Sequence, residues 1–562
     1  MSTYKLRFVP LGGIVGVTKN MYIYELYKNN SLQDVLIIDC GIGFPREKEF
    51  GVDFVIPDIS YLVDKIDKIR GLLLTHGHED HISALSYHYD ALGKPKLFGS
   101  RLTCAFVLNK FKEFNKRPNI NQENGKPEIN FDKEYSLGDF KVKFLRQTHS
   151  IPDTVHILIK TPVGMIYHGS DFKFDLTPPF GPTPDFYEIA KAGSEGILCL
   201  LSDCLGAERE GFTLSESIVG QTFEDEMRKT KGKFIMTTFS SNISRIRQCV
   251  EAAIKFNRKI FFLGRSMREN TTLAKEIGYL PIPSSLIGKE EELHRLSPNK
   301  ICMIVAGSQG QYDSALSKLA SRQNRFVKIT QGDKVVFSSD PIPGNEDEVY
   351  NVIEELTVQG ADVVYPDIHD QLHASGHGNR EDLKLLIRLT NPKYFIPIGG
   401  TIRHQKQYQN IVEELGYDRN LALGLNEGET VWFDNKTARR GDKIETKNIF
   451  VDAYGIGDVG RVVLRDRKTL SSDGMVVVVL PVDGSGLLTA QPKILSRGFI
   501  FDKVGQGLYD RGVKEIERIM KPRGVKVFEI DNLKRQVGRE LEEFLYKETG
   551  RKPLIVVEVI QL

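Results

Sequence analysis

The sequence predicts an α/β protein made of several domains. Its 562 residues correspond to about three to five domains, at roughly 100–200 residues per domain. Short apolar segments separated by Gly, Asn and Asp turns predict strands, and longer segments between them predict helices. The chain is 40% hydrophobic and 27% charged, which is ordinary for a globular protein. This composition excludes a collagen-like, a wholly disordered or a disulfide-stapled chain.

Residues 1–200 predict a layered α/β domain. The predicted strands are 8–11, 21–27, 35–39, 71–75, 141–145 and 163–167, and the predicted helices are 61–69 and 105–114. Because such strands form sheets whose outer faces must be covered, we expect helices packed on both sides.

From about residue 206 the chain alternates regularly between strand and helix. The predicted strands are 233–237, 259–262, 301–305, 333–337 and 362–364, with helices at 243–256 and 271–277. This alternation predicts a second α/β domain with a largely parallel sheet. A helix at 380–389 and a strand at 394–398 follow it.

The last part of the chain predicts a compact α+β module. It consists of a strand at 475–482, helices at 512–520 and 533–547, and a closing strand at 553–562. We therefore expect four parts: 1–205 and 371–449 as two halves of a core domain, 206–370 inserted between them, and 450–562 as a linker and C-terminal α+β domain for oligomerisation.

The charge balance and the cysteines restrict what the protein binds and where in the cell it acts. Lys and Arg number 76 against 74 Asp and Glu, so any nucleic-acid site must be a local patch. The six cysteines, Cys40, Cys104, Cys199, Cys204, Cys249 and Cys302, form no Cys-x-x-Cys pair, which indicates reduced thiols. The N-terminus lacks signal-peptide features, and no apolar run approaches the ~20 residues of a membrane helix. We expect a cytoplasmic protein that does not act at a membrane.

The motif THGHEDH at 75–81 is the strongest chemical signal. It places His76, His78, Asp80 and His81 in one loop directly after an apolar strand. Imidazole and carboxylate groups at this density suit Zn²⁺ or Mn²⁺, and four potential ligands at this spacing are rare in an ordinary solvated loop.

Two more potential ligands, His149 and Asp171, follow apolar strands further along the chain. With the first motif they complete two overlapping sets. One set is His76, His78, His149 and Asp171; the other is Asp80, His81 and Asp171, with Asp171 shared. Two divalent ions held in this way would suit the hydrolysis of a phosphodiester.

These motifs resemble a known family. HxHxDH with a distant His and Asp resembles the metallo-β-lactamase fold, the insertion resembles the β-CASP nuclease branch, and the whole chain resembles bacterial ribonuclease J. The similarity is carried by LLSDCLGAEREGFT (200–213), TTFSSNISRIRQ (237–248), GRSMREN (264–270), GSQGQYDSAL (307–316), VVFSSDPIPGNE (335–346), HASGHGNREDLKLL (373–386), VDAYGIGDVGRVVLRDR (451–467) and FLYKETGRKPLI (544–555). It implies a metallo-β-lactamase αββα sandwich with an inserted α/β β-CASP domain and a small α+β C-terminal domain.

The resemblance also implies an activity. Ribonuclease J enzymes degrade single-stranded RNA from a 5′-monophosphate end, 5′→3′, and also cut internally, in RNA maturation and decay. Two divalent ions per subunit are implied, Zn²⁺ or else Mn²⁺ or Mg²⁺, with the six ligands already named. The C-terminal module then implies a homodimer or homotetramer.

Further roles follow from the family's motifs. Asp80, Asp203 and His377 are the implied catalytic residues: Asp203 would orient a metal-binding histidine, and His377 would contact the scissile phosphate and donate a proton. An RNA phosphate would be held by His373, Ser375, Gly376 and His377. Ser240, Ser241 and Asn242 match the pocket for the 5′-phosphate, although Asn242 could equally cap the next helix.

Basic residues of the insertion are candidate contacts to the RNA backbone. They are Arg245, Arg247, Lys259, Arg265 and Arg268. For any one of them an ordinary surface charge is the better interpretation.

The sequence departs from the family at the second metal set. Gly399 stands where the family has a metal-binding His, and Thr401 where it has a Glu. Gly16 and Gln311 each replace a usual Glu. His404 would reach the site only if its loop rearranged. We favour an active ribonuclease with a weakened second site; the alternative is a catalytically weakened paralogue that binds RNA within a complex with an active partner. A small-molecule metallohydrolase would not need the insertion.

Overall fold

The computed structural model describes residues 3–45, 49, 51–342, 344–435, 437–452, 455–457, 459–500, 502–520 and 530–562. The chain divides into two compact units. The first comprises Met1–Gly43 and Ile56–Asn448, and the second comprises Phe44–Val55 and Ile449–Leu562.

Two sheets form the centre of the first unit. The seven-stranded sheet has the order Ala438–Arg440, Val431–Phe433, Tyr4–Pro10, Tyr22–Lys28, Ser31–Ile38, Ile69–Leu73, Leu97–Phe98. The six-stranded sheet has the order Tyr394–Ile398, Ile197–Asp203, Met165–Gly169, Val155–Lys160, Phe140–Arg146, Tyr135–Leu137. The two sheets pack face to face through a core that includes Phe8, Tyr24, Phe144 and Ile157.

Helices cover the outer faces of this sandwich. On the six-stranded sheet they are Phe186–Glu195, Arg380–Thr390 and Ile402–Glu414, packed on a second core. On the other side, Tyr61 of the 3₁₀ helix Ser60–Lys68 bonds Glu25 and Arg7 of the seven-stranded sheet. The same half of the chain contains the helices Glu79–Ile82, Leu85–His88 and Arg101–Glu113 and the short hairpin Gln122–Glu123 with Lys126–Pro127. The αββα sandwich is thus confirmed.

The insertion contains an all-parallel sheet of five strands. Their order is Lys259–Leu263, Ile301–Val305, Phe234–Thr237, Lys334–Phe337, Asp362–Val364. The accompanying helices are Ser217–Lys229, Ile243–Lys255, Arg265–Glu276, Ala315–Ala320 and Glu346–Val358. Four of the five strands are almost wholly buried, which is why they are apolar along their length rather than alternating. The prediction of a parallel α/β insertion is confirmed.

The second unit is an α+β module. Its sheet has the order Lys493–Arg497, Met475–Val482, Leu554–Gln561, and alternate residues of the central strand are buried. That buried face packs with the helices Asp502–Met520 and Ile530–Thr549, while Arg461–Asp473 precedes the sheet.

Residues 44–55 also belong to the second unit. Phe54–Pro57 is the edge strand of a small sheet with Asn448–Asp452 and Gly455–Ile456, and the Asp53 amide donates to the Val451 carbonyl at 3.0 Å. The four predicted domain boundaries stay predictions, and this early segment is an addition to them. No described helix has the length and apolar character to cross a membrane.

Candidate active site

The site lies where strands of both sheets end. Three strands of the six-stranded sheet, Met165–Gly169, Ile197–Asp203 and Tyr394–Ile398, are parallel neighbours. Asp171 follows the first of these strands, Asp203 ends the second, and Gly399 follows the third. Because parallel strands bring their carboxyl ends to one edge, these three positions come side by side. The THGHEDH loop reaches the same edge after Ile69–Leu73 of the facing sheet.

Three imidazoles converge at this edge. His78 Nδ1 lies 3.0 Å from His76 Nε2 and 3.2 Å from His149 Nε2. Asp171 Oδ2 is 3.9 Å from each of those Nε2 atoms. The spacing along the chain thus predicts a cluster that the fold does assemble.

The protonation of these imidazoles fits a cation. Burial, helped by the neighbouring histidines, holds the pKa values of His76 and His149 well below the usual range. Burial likewise lowers the pKa of His78 to about 3. Neutral imidazoles that point nitrogen lone pairs at one point provide the ligand form that divalent metals require.

Backbone and side-chain acceptors fix the rings from outside. His149 Nδ1 donates to the Gly376 carbonyl at 2.6 Å, so its Nε2 lone pair faces the cluster. His81 Nδ1 donates to Asp39 Oδ2 at 2.7 Å, and Asp39 also accepts from the Thr75 amide and hydroxyl. Such outer partners set the tautomer and the ring angle of metal ligands. Sequence reasoning missed Asp39 and the carbonyl role of Gly376.

The second set is smaller and more acidic. His81 Nε2 lies 3.4 Å from Asp171 Oδ2 and 3.7 Å from Asp80 Oδ2. Burial, assisted by Asp171, raises the pKa of Asp80 to about 6. Burial opposes protonation of His81, yet Asp171, Asp80 and Asp39 together raise its pKa well above its usual value. The negative charge of these carboxylates, which holds a proton on His81, also favours the binding of a metal cation at the same place. Asn20 Nδ2 contacts both His81 Nε2, at 3.0 Å, and the Asp80 carbonyl, at 3.2 Å.

Gly399 borders this second set without contributing to it. A Cβ at this position would lie 3.6 Å from Asp171 Oδ1 and 3.6 Å from Asp203 Oδ1. His404 does not take its place: His404 Nδ1 accepts from the Thr401 amide at 3.2 Å, and its Nε2 is 3.7 Å from Glu208 Oε2. Thr401 and His404 thus cap the helix Ile402–Glu414.

His377 lies at the rim of the cluster. Its Nδ1 donates to Asp203 Oδ2 at 2.7 Å, and 23% of its side chain is exposed. Although burial lowers the pKa of His377, the carboxylates of Asp203 and Asp171 raise it to about 9. Together with His149 and Asp171, His377 forms one of the potential ligand groups among the described residues. Asp203 therefore pairs with His377, the implied proton donor, while its implied role of orienting a metal-binding histidine and the other catalytic roles stay predictions.

The loop 373–377 is held from two sides. Ser375 Oγ accepts from the His377 amide at 3.1 Å, and His373 Nδ1 accepts from Arg245 at 2.9 Å.

The residues that match the 5′-phosphate pocket make hydrogen bonds within the protein. Asn242 Oδ1 accepts from the Arg245 amide at 3.0 Å, so Asn242 does cap its helix. Ser240 Oγ accepts from Asn270 at 3.2 Å.

Arg245 is wrong as a candidate RNA contact. Its side chain is fully buried and bonds both carboxylate oxygens of Glu216, at 2.8 and 2.9 Å, and the Ser338 and Ala374 carbonyls. A buried guanidinium paired in this way cannot reach a phosphate. The other four basic candidates each pair with a carboxylate: Arg247 with Glu251, Lys259 with Glu292, Arg265 with Glu269 and Arg268 with Glu290.

Four family models match the chain. They are the metallo-beta-lactamase superfamily (residues 17–183), the ribonuclease J beta-CASP domain (231–356), the Zn-dependent metallo-hydrolase RNA specificity domain (362–422) and the ribonuclease J C-terminal domain (462–562). A solved structure of a protein of unknown function from Enterococcus faecalis V583 matches with a TM-score of 0.51 and 15% identity, over 76% of this chain and 100% of that one. The similarity to this solved structure concerns the fold alone.

Curated relatives match over almost the whole chain. Ribonuclease J2 of Bacillus subtilis is 35% identical over 565 residues, covering 100% of this chain and 99% of that protein. Ribonuclease J 1 of Streptococcus pyogenes is 36% identical, covering 98% of this chain and 96% of that protein. With these matches and the His/Asp cluster in place, the chain belongs to the ribonuclease J family of metal-dependent ribonucleases.

Proposed function

We propose that this chain is an active ribonuclease that degrades single-stranded RNA 5′→3′, prefers a 5′-monophosphate and also cuts internally. The observation that carries the proposal is the convergence of three neutral imidazoles with Asp80, His81 and Asp171. Six ligand side chains are retained with their outer hydrogen-bond partners, which is not expected of an abandoned site. The direction of degradation and a role in RNA maturation and decay in the cytoplasm come from the family resemblance.

The two sets would hold two divalent ions, with Asp171 shared. His76, His78 and His149 complete one set, and Asp80 and His81 the other. When bound, such ions lower the pKa of water and neutralise charge on a phosphoryl oxygen. Nitrogen-rich ligands favour Zn²⁺ in the first set, while the more acidic second set also suits Mn²⁺ or Mg²⁺.

The protein groups around the ions would position the RNA and move the proton. His377, protonated and held by Asp203, would contact the scissile phosphate and donate its Nε2 proton to the leaving oxygen. Ser375 and the backbone of Gly376 would bind a phosphate beside it. Ser240 and Ser241 would hold a 5′-phosphate at this helix N-terminus, beside Asn242, whose side-chain oxygen is engaged in the helix cap.

One observation favours a second candidate function. Gly399 offers no ligand beside Asp171, and His404 is engaged elsewhere, so the second set has three side chains. A weakly held second ion would leave a protein that binds RNA but turns it over slowly. Such a chain would serve as the RNA-binding subunit of a complex with an active partner.

The test is degradation of a 5′-monophosphorylated single-stranded RNA by the purified full chain with added Zn²⁺ or Mn²⁺. We expect progressive loss of RNA from the 5′ end, slower loss with a 5′-hydroxyl RNA, and no loss with Asp80→Ala. RNA binding without turnover would contradict the active-enzyme proposal and favour the subunit function. Light scattering on the same samples tests the proposed homodimer or homotetramer.

A further inference from the structure

The outer face of the seven-stranded sheet carries a cleft far from the candidate active site. Trp432, the only tryptophan of the chain, lies on the strand Val431–Phe433, whose Val431 and Phe433 point into the core. Because side chains alternate along a strand, Trp432 points outward. The cleft beside it has a volume of about 420 Å³, within the range of roughly 300–1,000 Å³ that small-ligand sites occupy.

The indole is held in a fixed orientation. The Tyr27 ring lies 5.0 Å from it at an interplanar angle of 57°, and the Arg7 guanidinium lies 5.3 Å from its centroid. Arg7 in turn bonds Tyr61 at 3.0 Å and Thr430 at 3.4 Å. An aromatic ring fixed in this way loses little conformational entropy when a second ring stacks on it.

Positive charge lines the same cleft. Lys5 is exposed and its Nζ donates to the neutral Asn30 Oδ1 at 3.1 Å. Arg439, opposite Trp432 in the strand register, is exposed, and within the described parts of the chain no hydrogen bond or ion pair holds its guanidinium. Asp434, the carboxylate of the cleft, accepts two hydrogen bonds from Thr437.

A fixed indole flanked by two available cations fits a ligand that has both a flat ring and a phosphate. That combination describes nucleotides, and single-stranded nucleic acid binds proteins through such stacking and charge. We propose that the cleft of Lys5, Tyr27, Trp432 and Arg439 is a second binding site for single-stranded RNA. This inference rests on the proposed function, because RNA is the substrate there.

The cleft lies away from the catalytic cluster. Lys5 is near the start of Tyr4–Pro10, and the far end of that strand pairs with Tyr22, whose hydroxyl bonds Asn20 beside His81. From Lys5 to Pro10 the strand extends roughly 17 Å, at about 3.3 Å per residue. The cleft therefore holds a different segment of the RNA from the one being cut, and it contributes to binding of the whole RNA without changing the chemical step.

The unique tryptophan makes the test direct. Full-length Asp80→Ala protein, which does not cut, is titrated with a 30-nucleotide oligouridylate while Trp432 fluorescence is followed. We expect saturable quenching, and about tenfold weaker binding with Arg439→Ala together with Lys5→Ala. Inorganic polyphosphate should compete weakly and not quench, because it has no ring to stack. Absence of quenching at RNA concentrations that saturate the protein would overturn the proposal.

Kinetics on the cutting enzyme separate this site from the catalytic one. We expect Trp432→Leu to raise KM for a 30-nucleotide RNA about tenfold with kcat unchanged, and Trp432→Phe to restore most of the loss. A trinucleotide is too short to span both sites, so its kcat/KM should not change. Tyr187→Leu, which removes an aromatic side chain that is 75% exposed on the helix Phe186–Glu195, is the matched control. An unchanged KM for the long RNA would refute the second site, whereas failure of all RNA cleavage with quenching intact would refute only the proposed catalytic function.

Discussion

Gly376→Ala should weaken the binding of metal by the first ligand set, although Gly376 itself offers no side chain. A Cβ on Gly376 would lie 2.6 Å from His149 Cε1 and 2.8 Å from His149 Nδ1. Because carbon contacts are favourable only near 3.5–4.0 Å, the imidazole must retreat by roughly 1 Å. That retreat breaks the 2.6 Å hydrogen bond from His149 Nδ1 to the Gly376 carbonyl. Gly376 has no positive φ, so the effect is steric rather than conformational.

The expected magnitude follows from the loss of an outer partner of a metal ligand, which typically costs about 10- to 100-fold in metal affinity or activity. The assay is competition for Zn²⁺ against a chromogenic chelator, followed by RNA cleavage over a range of metal concentrations. We expect weaker binding and partial recovery of activity at high metal concentration. Ser375→Ala in the same loop is the control, since it alters a phosphate contact and should keep metal affinity. Wild-type metal affinity in Gly376→Ala would refute this reasoning.

Three further predictions concern other parts of the structure. Arg245→Met should destabilise the protein by about 3–5 kcal/mol in urea unfolding, because it leaves Glu216 buried without its bidentate partner; a loss below about 1 kcal/mol would show that the pair is dispensable. Gly399→His should lower the Mn²⁺ concentration that gives half-maximal activity, at a cost in stability from its φ of 66°; Gly399→Leu carries the same backbone cost without a ligand, and an equal Mn²⁺ response in both would contradict the prediction. Restoring Zn²⁺ at about 100 times its Kd to metal-depleted protein should add about 2.7 kcal/mol in calorimetry, and His76→Ala should abolish the gain; a gain that persists in that variant would place the stabilising ion elsewhere.

The sequence predicts the parts of this molecule whose signal is local. The strands Ile301–Val305, Tyr394–Ile398 and Met475–Val482 have the predicted bounds because each is one apolar run with clear ends. His76 and His78 share one short loop, so their meeting needs no knowledge of the fold. Two buried strands, Val155–Lys160 and Ile197–Asp203, are not among the predicted ones, because periodicity does not separate a strand buried on both faces from a buried helix.

The groups that hydrogen-bond to the metal-ligand histidines from outside the cluster have no signal in the neighbouring sequence. Asp39 is 42 positions from His81, and the Gly376 carbonyl is 227 positions from His149, so only the folded sheet edge reveals these bonds. Arg245 was expected among the exposed basic residues because its charge is visible in the sequence. Its burial depends on Glu216, 29 positions away, which the pattern around Arg245 does not show.

The membership of residues 44–55 in the second unit has a consequence for synthesis of the chain. Their neighbour in that unit, the strand Asn448–Asp452, is made roughly 400 residues later, which at about 5–20 residues per second takes about 20–80 s. During that interval Phe54–Pro57 is a nascent edge strand without its partner, a form that pairs readily with other chains. The unfinished polypeptide on the ribosome therefore carries an unpaired strand edge until its own C-terminal region is made, and aggregation through that edge is a hazard of its synthesis.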